Sequence, residues 1–234
     1  MKVSRRNRFD GSGISGQPTR AIEASCTIAD WPERDPLAIR AIREKWPGLV
    51  DLWESSPVMI HDNTPQTEEF VDALFPGNPL LCCASFRHKF GTRLRSNWHK
   101  MEGLQFIVPN PMTAKVGKTQ QGKLSEHTKE NTGRRRFLVI DQDDGELDQQ
   151  AAILLHLAEI APMALAMHSG GKSLHGWFYC GDKEENDLRR FMQYAVSLGA
   201  DRQMWKPSQF ARMPDGLRNL VKRQCVYFFN PEVI

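Results

Sequence analysis

The sequence predicts an α+β protein, and three features carry that prediction. Short apolar runs within RFLVID (136–141), MALAMHS (163–169) and VYFFN (226–230) have strand length. Two longer stretches, 145–162 and 182–199, carry apolar residues at helical spacing. Their succession from residue 136 onward is β-α-β-β-α-β. Upstream, helical signals over 31–75 and two strand-like runs read as a small mixed α/β module packed on the C-terminal one.

The chain has 234 residues, 40% hydrophobic and 25% charged, with a formal net charge of +3. That is an ordinary globular composition, and its mild basicity permits a nucleic-acid partner without demanding one. No run of 18 apolar residues occurs, so no membrane partner is expected. Five cysteines without framework spacing point to a reducing cytoplasm. Residues 1–20 are rich in Arg, Gly and Ser and read as a disordered tail. An N-terminal module over 21–112, a basic polar loop over 113–135 and a C-terminal module over 136–234 follow.

DPLAIRAIREKW (35–46) has helical spacing. TPQTEEFVDALF (64–75) opens with a Thr64 cap and a first-turn proline. PLLCCASF (79–86) and LQFIVPNPM (104–112) read as strands. Trp31, Trp46 and Trp53 fall in the helical region and are expected in the core. Cys82, Cys83, His88 and His99 cluster without zinc-site spacing, so no zinc is expected. RFLVID is a short buried strand. GELDQQAAILLHLAEIAP (145–162) is a helix stopped by Pro162. MALAMHS and SLHGWFYC (173–180) form a hairpin around Gly170-Gly171-Lys172. Asp182 is placed to cap the next helix, and Gly199 ends it. VYFFN is the last strand. This is the order of ferredoxin-like and RNA-recognition (RRM-like) folds, in which the first and third strands lie side by side in the centre.

AMHSGGKS (166–173) loosely fits a phosphate-binding P-loop. A P-loop needs a helix starting at its Lys-Ser, and LHGWFYC is strand, so that reading fails. A different constellation replaces it. Asp141 and Asp143 lie two apart at the end of an apolar strand, a spacing that puts both carboxylates on one face. A divalent cation would relieve their repulsion, although Asp-Gln-Asp-Asp-Gly also reads as the start of a turn. If the hairpin pairs with that strand, Ser173, His175 and Trp177 share a face, and Lys172 adds charge beside two glycines. Gly199-Ala200-Asp201 brings another carboxylate. Arg212 and Arg218 follow in SQFARMPDGLRN, with Lys222 and Arg223 read as surface charge.

FLVIDQD, SGGKSLHGW and GAD, in this order, resemble the three motifs of the archaeo-eukaryotic primase (primase-polymerase) superfamily. SQFARMPDGLRN followed by RQCVYFFNP resembles the Arg-x-Pro-Gly segment of its branch from phages, plasmids and other mobile elements. The resemblance spans about residues 134–234. It implies two Mg²⁺ or Mn²⁺ ions held by Asp141, Asp143 and Asp201. It also implies an NTP or dNTP held by Ser169, Lys172, Ser173, His175 and Arg212. A single-stranded DNA template would lie along Arg134, Arg135 and Arg218, with a helicase as a further partner. Gln142 stands where the pattern is usually apolar, and Asp144 adds a third acid. Asp215 replaces a commoner glycine and competes with Asp201 as third carboxylate. A non-catalytic RRM-like nucleic-acid-binding module is the alternative, with Trp177, Phe178 and Tyr179 as candidate base-stacking residues.

Overall fold

The computed structural model describes residues 31–46, 48–60 and 65–234. The expected tail over 1–20 and the Thr64 cap lie outside the described residues. Residues Trp31–Ile234 form one compact unit.

Asp35 starts α1 (Pro36–Lys45) by accepting hydrogen bonds from the amides of Leu37 and Ala38 at 3.1 and 3.0 Å. α2 (Leu49–Glu54) is one short turn and a half, and buries only Leu52. Trp53 is therefore exposed rather than in the core, while Trp31 and Trp46 are half-buried. α3 (Thr67–Leu74) buries Phe70, Val71 and Leu74.

The first sheet is antiparallel, built from β1 (Leu80–Phe86), β2 (Lys89–Leu94), β3 (Phe106–Ile107) and the distant β9 (Ala211–Arg212), in the order β2-β1-β3-β9. β3 is far shorter than the expected 104–112 run, because Pro109 and Pro111 cannot donate to a ladder. Residues 113–135 are not bare loop: β4 (Gly117–Lys118) pairs with β5 (Leu124–Ser125), and the Thr92 hydroxyl bonds the Glu126 carbonyl at 2.6 Å.

The second half follows the expected succession: β6 (Phe137–Gln142), α4 (Leu147–Ala158), β7 (Met163–His168), β8 (Leu174–Tyr179), α5 (Glu185–Ser197). β9 (Ala211–Arg212) then leaves to join the first sheet. A small hairpin, β10 (Leu217–Arg218) with β11 (Lys222–Arg223), comes next, and β12 (Val226–Phe229) returns. The second sheet has the order β12-β7-β8-β6. The first and third strands, β6 and β8, are adjacent as expected, but β6 sits at the edge and not in the centre. Its outer edge is taken by the chain after α5: Gln142 bridges Ala200, and the Asp201 amide bonds the Asp141 carbonyl at 3.0 Å. The last strand therefore pairs with β7.

α4 is buried on most sides, because α1 and α2 pack on it while it packs on β8. A Cβ at Gly176 would stand 2.6 Å from Leu154, which is how closely helix and sheet approach. α5 begins after Glu184 and not at Asp182, which instead pairs with Arg134 at 3.0 Å. The opposite face of the sheet packs against α3 through Phe75, whose ring meets Phe137 and Trp177 edge-on at 5.6 and 6.4 Å. Among the described residues no helix is long and apolar enough to cross a membrane.

Candidate active site where β6 meets β8

β6 and β8 run antiparallel with Asp141 directly opposite His175. Their side chains share the face that Val139 and Trp177 occupy one step further in. His175 Nε2 stands 3.3 Å from Asp141 Oδ1, with the two side chains 4% and 20% exposed. The contact is electrostatic, without hydrogen-bond alignment. Asp141 Oδ1 and His175 Nδ1 are buried without hydrogen-bond partners, as is Arg212 Nη1. Buried polar atoms are normally paired. Three such atoms gather around one charge cluster.

Burial pushes the Asp141 carboxyl upward. His175, the Ser173 hydroxyl and Arg212 more than offset this and hold it below the ordinary carboxylate range. Asp141 is therefore an anion at neutral pH. Burial, then Arg218, lower the Arg212 guanidinium to about 10; Asp141 opposes them and Arg87 adds to them. It remains a cation. His168 is pushed down by burial, then by His175, Arg218 and Lys222, and is neutral at pH 7. β9 carries Arg212 into this cluster by pairing with β3, and its guanidinium lies 4.7 Å from the centre of the Phe106 ring.

The β7–β8 turn is locked by serines. The Ser169 amide bonds the Ser173 carbonyl, and the Ser173 hydroxyl bonds Ser169 Oγ, both at 2.8 Å. Gly170 has φ +69°, a left-handed value that glycine adopts without strain. The glycines also make room for a cation: the Cβ position of Gly170 is 3.2 Å from Arg218 Cβ, and a side chain at Gly171 would collide with the Arg218 guanidinium. Lys172 is exposed and stands 3.6 Å from Asp143.

The acidic residues divide into distinct roles. β6 ends at Gln142, so Asp143 lies past the strand with its carboxylate exposed. Asp144 pairs with Arg34. Asp201 is joined to Asp141 through the backbone, while its carboxylate caps a 3-10 turn by accepting the Gln203 amide at 2.9 Å. Asp215 is buried and satisfied: it pairs with Arg223 and accepts the Gln66 amide at 2.7 Å. It serves the fold and stands aside from the cluster. Among the described residues no three His, Cys, Asp or Glu side chains form a ready metal cage. Asp141, with its orphaned oxygen, is nonetheless a donor that suits a hard, oxygen-seeking cation, while Asp143 lies beyond the strand end beside Lys172. Asp201 would have to release Gln203 to join them.

Two expectations are corrected. Arg135 is not displayed to nucleic acid. Its side chain is 6% exposed, bonds Glu185 at 3.0 Å and the Trp205 carbonyl at 2.6 Å, and lies 4.0 Å from the Trp205 ring centre. Trp177 and Phe178 are buried, the latter against Phe191 at 5.0 Å, so β8 offers no row of stacking aromatics. Cys82 and Cys83 alternate to opposite faces of β1 and cannot ligate one ion together.

Sequence reasoning missed Gln150. It is wholly buried on α4. Its Nε2 donates to the carbonyls of Gly145 and Lys172 at 3.0 and 3.1 Å, and its Oε1 accepts the Leu174 amide at 2.8 Å. One amide thus clips the acidic turn to the Gly-Gly-Lys turn. The available signal was an amide at a helix position flanked by Ala151, Ala152 and Ile153. Comparison of the chain with protein families, with curated proteins and with solved structures finds no match.

Proposed function

We propose that this chain is a DNA-dependent primase-polymerase, a nucleotidyltransferase of archaeo-eukaryotic type serving replication of a phage, plasmid or other mobile element. The observation that carries the reading is the pairing of Asp141 with His175 across β6 and β8, with the Arg212 guanidinium near enough to act on the Asp141 carboxylate. An acidic strand end beside a partly buried guanidinium suits a metal-bound triphosphate better than either sign of charge alone. Asp141 and Asp143 would hold Mg²⁺ or Mn²⁺. Bound there, the metals supply charge neutralisation for the attacking hydroxyl and the leaving pyrophosphate. Arg212 and His175 would grip phosphate oxygens, and their burial strengthens each contact by keeping water out. Ser169 and Ser173 hold the turn that carries Lys172. The template would be single-stranded DNA and the substrate an NTP or dNTP, with a helicase as a further partner.

The test is incorporation of labelled nucleotides on a single-stranded template, with and without a primer, in Mg²⁺ or Mn²⁺. Asp141→Ala with Asp143→Ala is expected to abolish it. Full incorporation by that double variant would end the polymerase reading.

A non-catalytic nucleic-acid-binding module remains the second reading. It is favoured by a cluster on the first sheet, where Phe90, Phe106, Phe210 and His127 pack ring to ring beside Arg87. That module would bind single strands without divalent metal, which separates the two.

A further inference from the structure

β10 and β11 pair with Arg218 opposite Lys222, and Asn219, Leu220 and Val221 join them. Asn219 and Leu220 both have positive φ, at 52° and 62°. Asparagine tolerates that region; leucine is seldom found there, because its Cβ crowds the following carbonyl. A glycine would be unstrained at position 220. The chain instead carries an apolar side chain there, 58% exposed, and follows it with Val221, 80% exposed. Backbone strain and bare apolar surface coincide on one tip.

The stem beneath this tip is held firmly. Arg223 Nη2 donates to Asp215 Oδ2 at 3.0 Å, the Gln224 amide bonds the Gly216 carbonyl at 2.8 Å, and the Asn219 amide bonds Gln105 Oε1 at 2.6 Å. Gln224 Nε2 adds a bond to the Met213 carbonyl at 3.0 Å. The tip is therefore presented on a hydrogen-bonded stem. It is also placed at the candidate site. The Cβ position of Gly170 lies 3.2 Å from Arg218 Cβ and 3.3 Å from the Lys222 carbonyl, so the stem rests on the Gly-Gly turn. Both cations act on His168 within the cluster.

We propose that Leu220 and Val221 form an apolar wedge that seats against a base step of the nucleic acid, with Arg218 and Lys222 on the flanking phosphates. The chemistry is that of aliphatic side chains pushed between bases while neighbouring cations hold the backbone. An apolar tip between two positive charges fits the alternation of base and phosphate along a strand. The position assigns the wedge to the junction between the growing duplex and the unpaired template, beside the triphosphate. This inference rests on the nucleotidyltransferase reading.

The test uses the full chain, a primer–template oligonucleotide with 2-aminopurine at the junction, and the double variant Leu220→Gly with Val221→Ser. Glycine relieves the strained φ, so the variant is expected to keep its melting temperature. The unaltered chain should raise 2-aminopurine fluorescence as the base unstacks. The variant should lose that rise and bind the junction about tenfold more weakly, as expected when the area buried by an aliphatic side chain is removed. Mn²⁺-dependent nucleotide binding should be equal in both. Unchanged fluorescence and junction affinity in the variant, with nucleotide binding intact, would overturn the wedge alone. Failure of the unaltered chain to bind either nucleotide or junction would overturn the wedge and the nucleotidyltransferase reading together.

Discussion

Replacing Gln150 with methionine keeps the length of the side chain and removes its three short hydrogen bonds, together with a 3.5 Å contact to the Asp144 carbonyl. The Leu174 amide lies in a wholly buried stretch of β8 and would be left unpaired. That costs about 1–3 kcal/mol. The carbonyls of Gly145 and Lys172 belong to exposed turns that water can reach, so each loses only about 0.5–1.5 kcal/mol. The sum is about 4 kcal/mol at the centre of these ranges. In a chain of this size each kcal/mol moves the melting temperature by about 2–4 °C, so a fall of about 8–16 °C is expected. Calorimetry measures it, and amide exchange at Leu174 localises it. The clip also sets where Lys172 stands relative to Asp143, so the KM for nucleotide should rise even below the melting range. A variant that melts within about 1 °C of the unaltered chain, against the shift worked above, would refute the idea that Gln150 joins the two turns.

Other outcomes follow from the same geometry. Arg135→Ala should destabilise the fold by about 1.5–3 kcal/mol through loss of the buried guanidinium's bonds to the exposed Glu185 and the Trp205 carbonyl, whereas Arg134→Ala should change stability little; chemical denaturation of the two variants compares them. Gly171→Ala should displace the Arg218 guanidinium and weaken template binding more than it lowers the melting temperature. Asp141 has a depressed folded pKa, so its ionisation stabilises the fold above the unfolded value of about 3.9, and that contribution is lost as pH falls through the lower folded value. Asp141→Asn should therefore flatten the stability profile below about pH 4 in an acid titration followed by circular dichroism.

The local grammar of the second half was legible because each element there owes its form to its own residues. FLVI is too short and apolar to be anything but a buried strand, and the alternation along LHGWFY places His175 and Trp177 on one face. That His175 comes to Asp141 needed the expected adjacency of the two strands as well, and the register that sets them opposite is the fold's. What was not legible depends on chain segments distant in sequence. β6 lies at the edge because residues 200 and 201 claim its free side. Arg135 looked like one of three basic residues in a polar run, and only the fold supplies Glu185 and Trp205 to bury it. Asp201 and Asp215 could not be ranked by spacing; the ion pair with Arg223 and the bond to Gln66 assign Asp215 to the fold. Periodicity reports which way a side chain points, and says nothing of what waits there.

The central claim is that Asp141, His175 and their neighbours hold a metal-bound nucleoside triphosphate. Calorimetric titration of a dNTP or NTP into the full chain, with and without Mn²⁺, tests it most directly. Binding should require the metal and vanish in the Asp141→Ala, Asp143→Ala double variant. Binding of equal strength without metal, or undiminished in that variant, would contradict it.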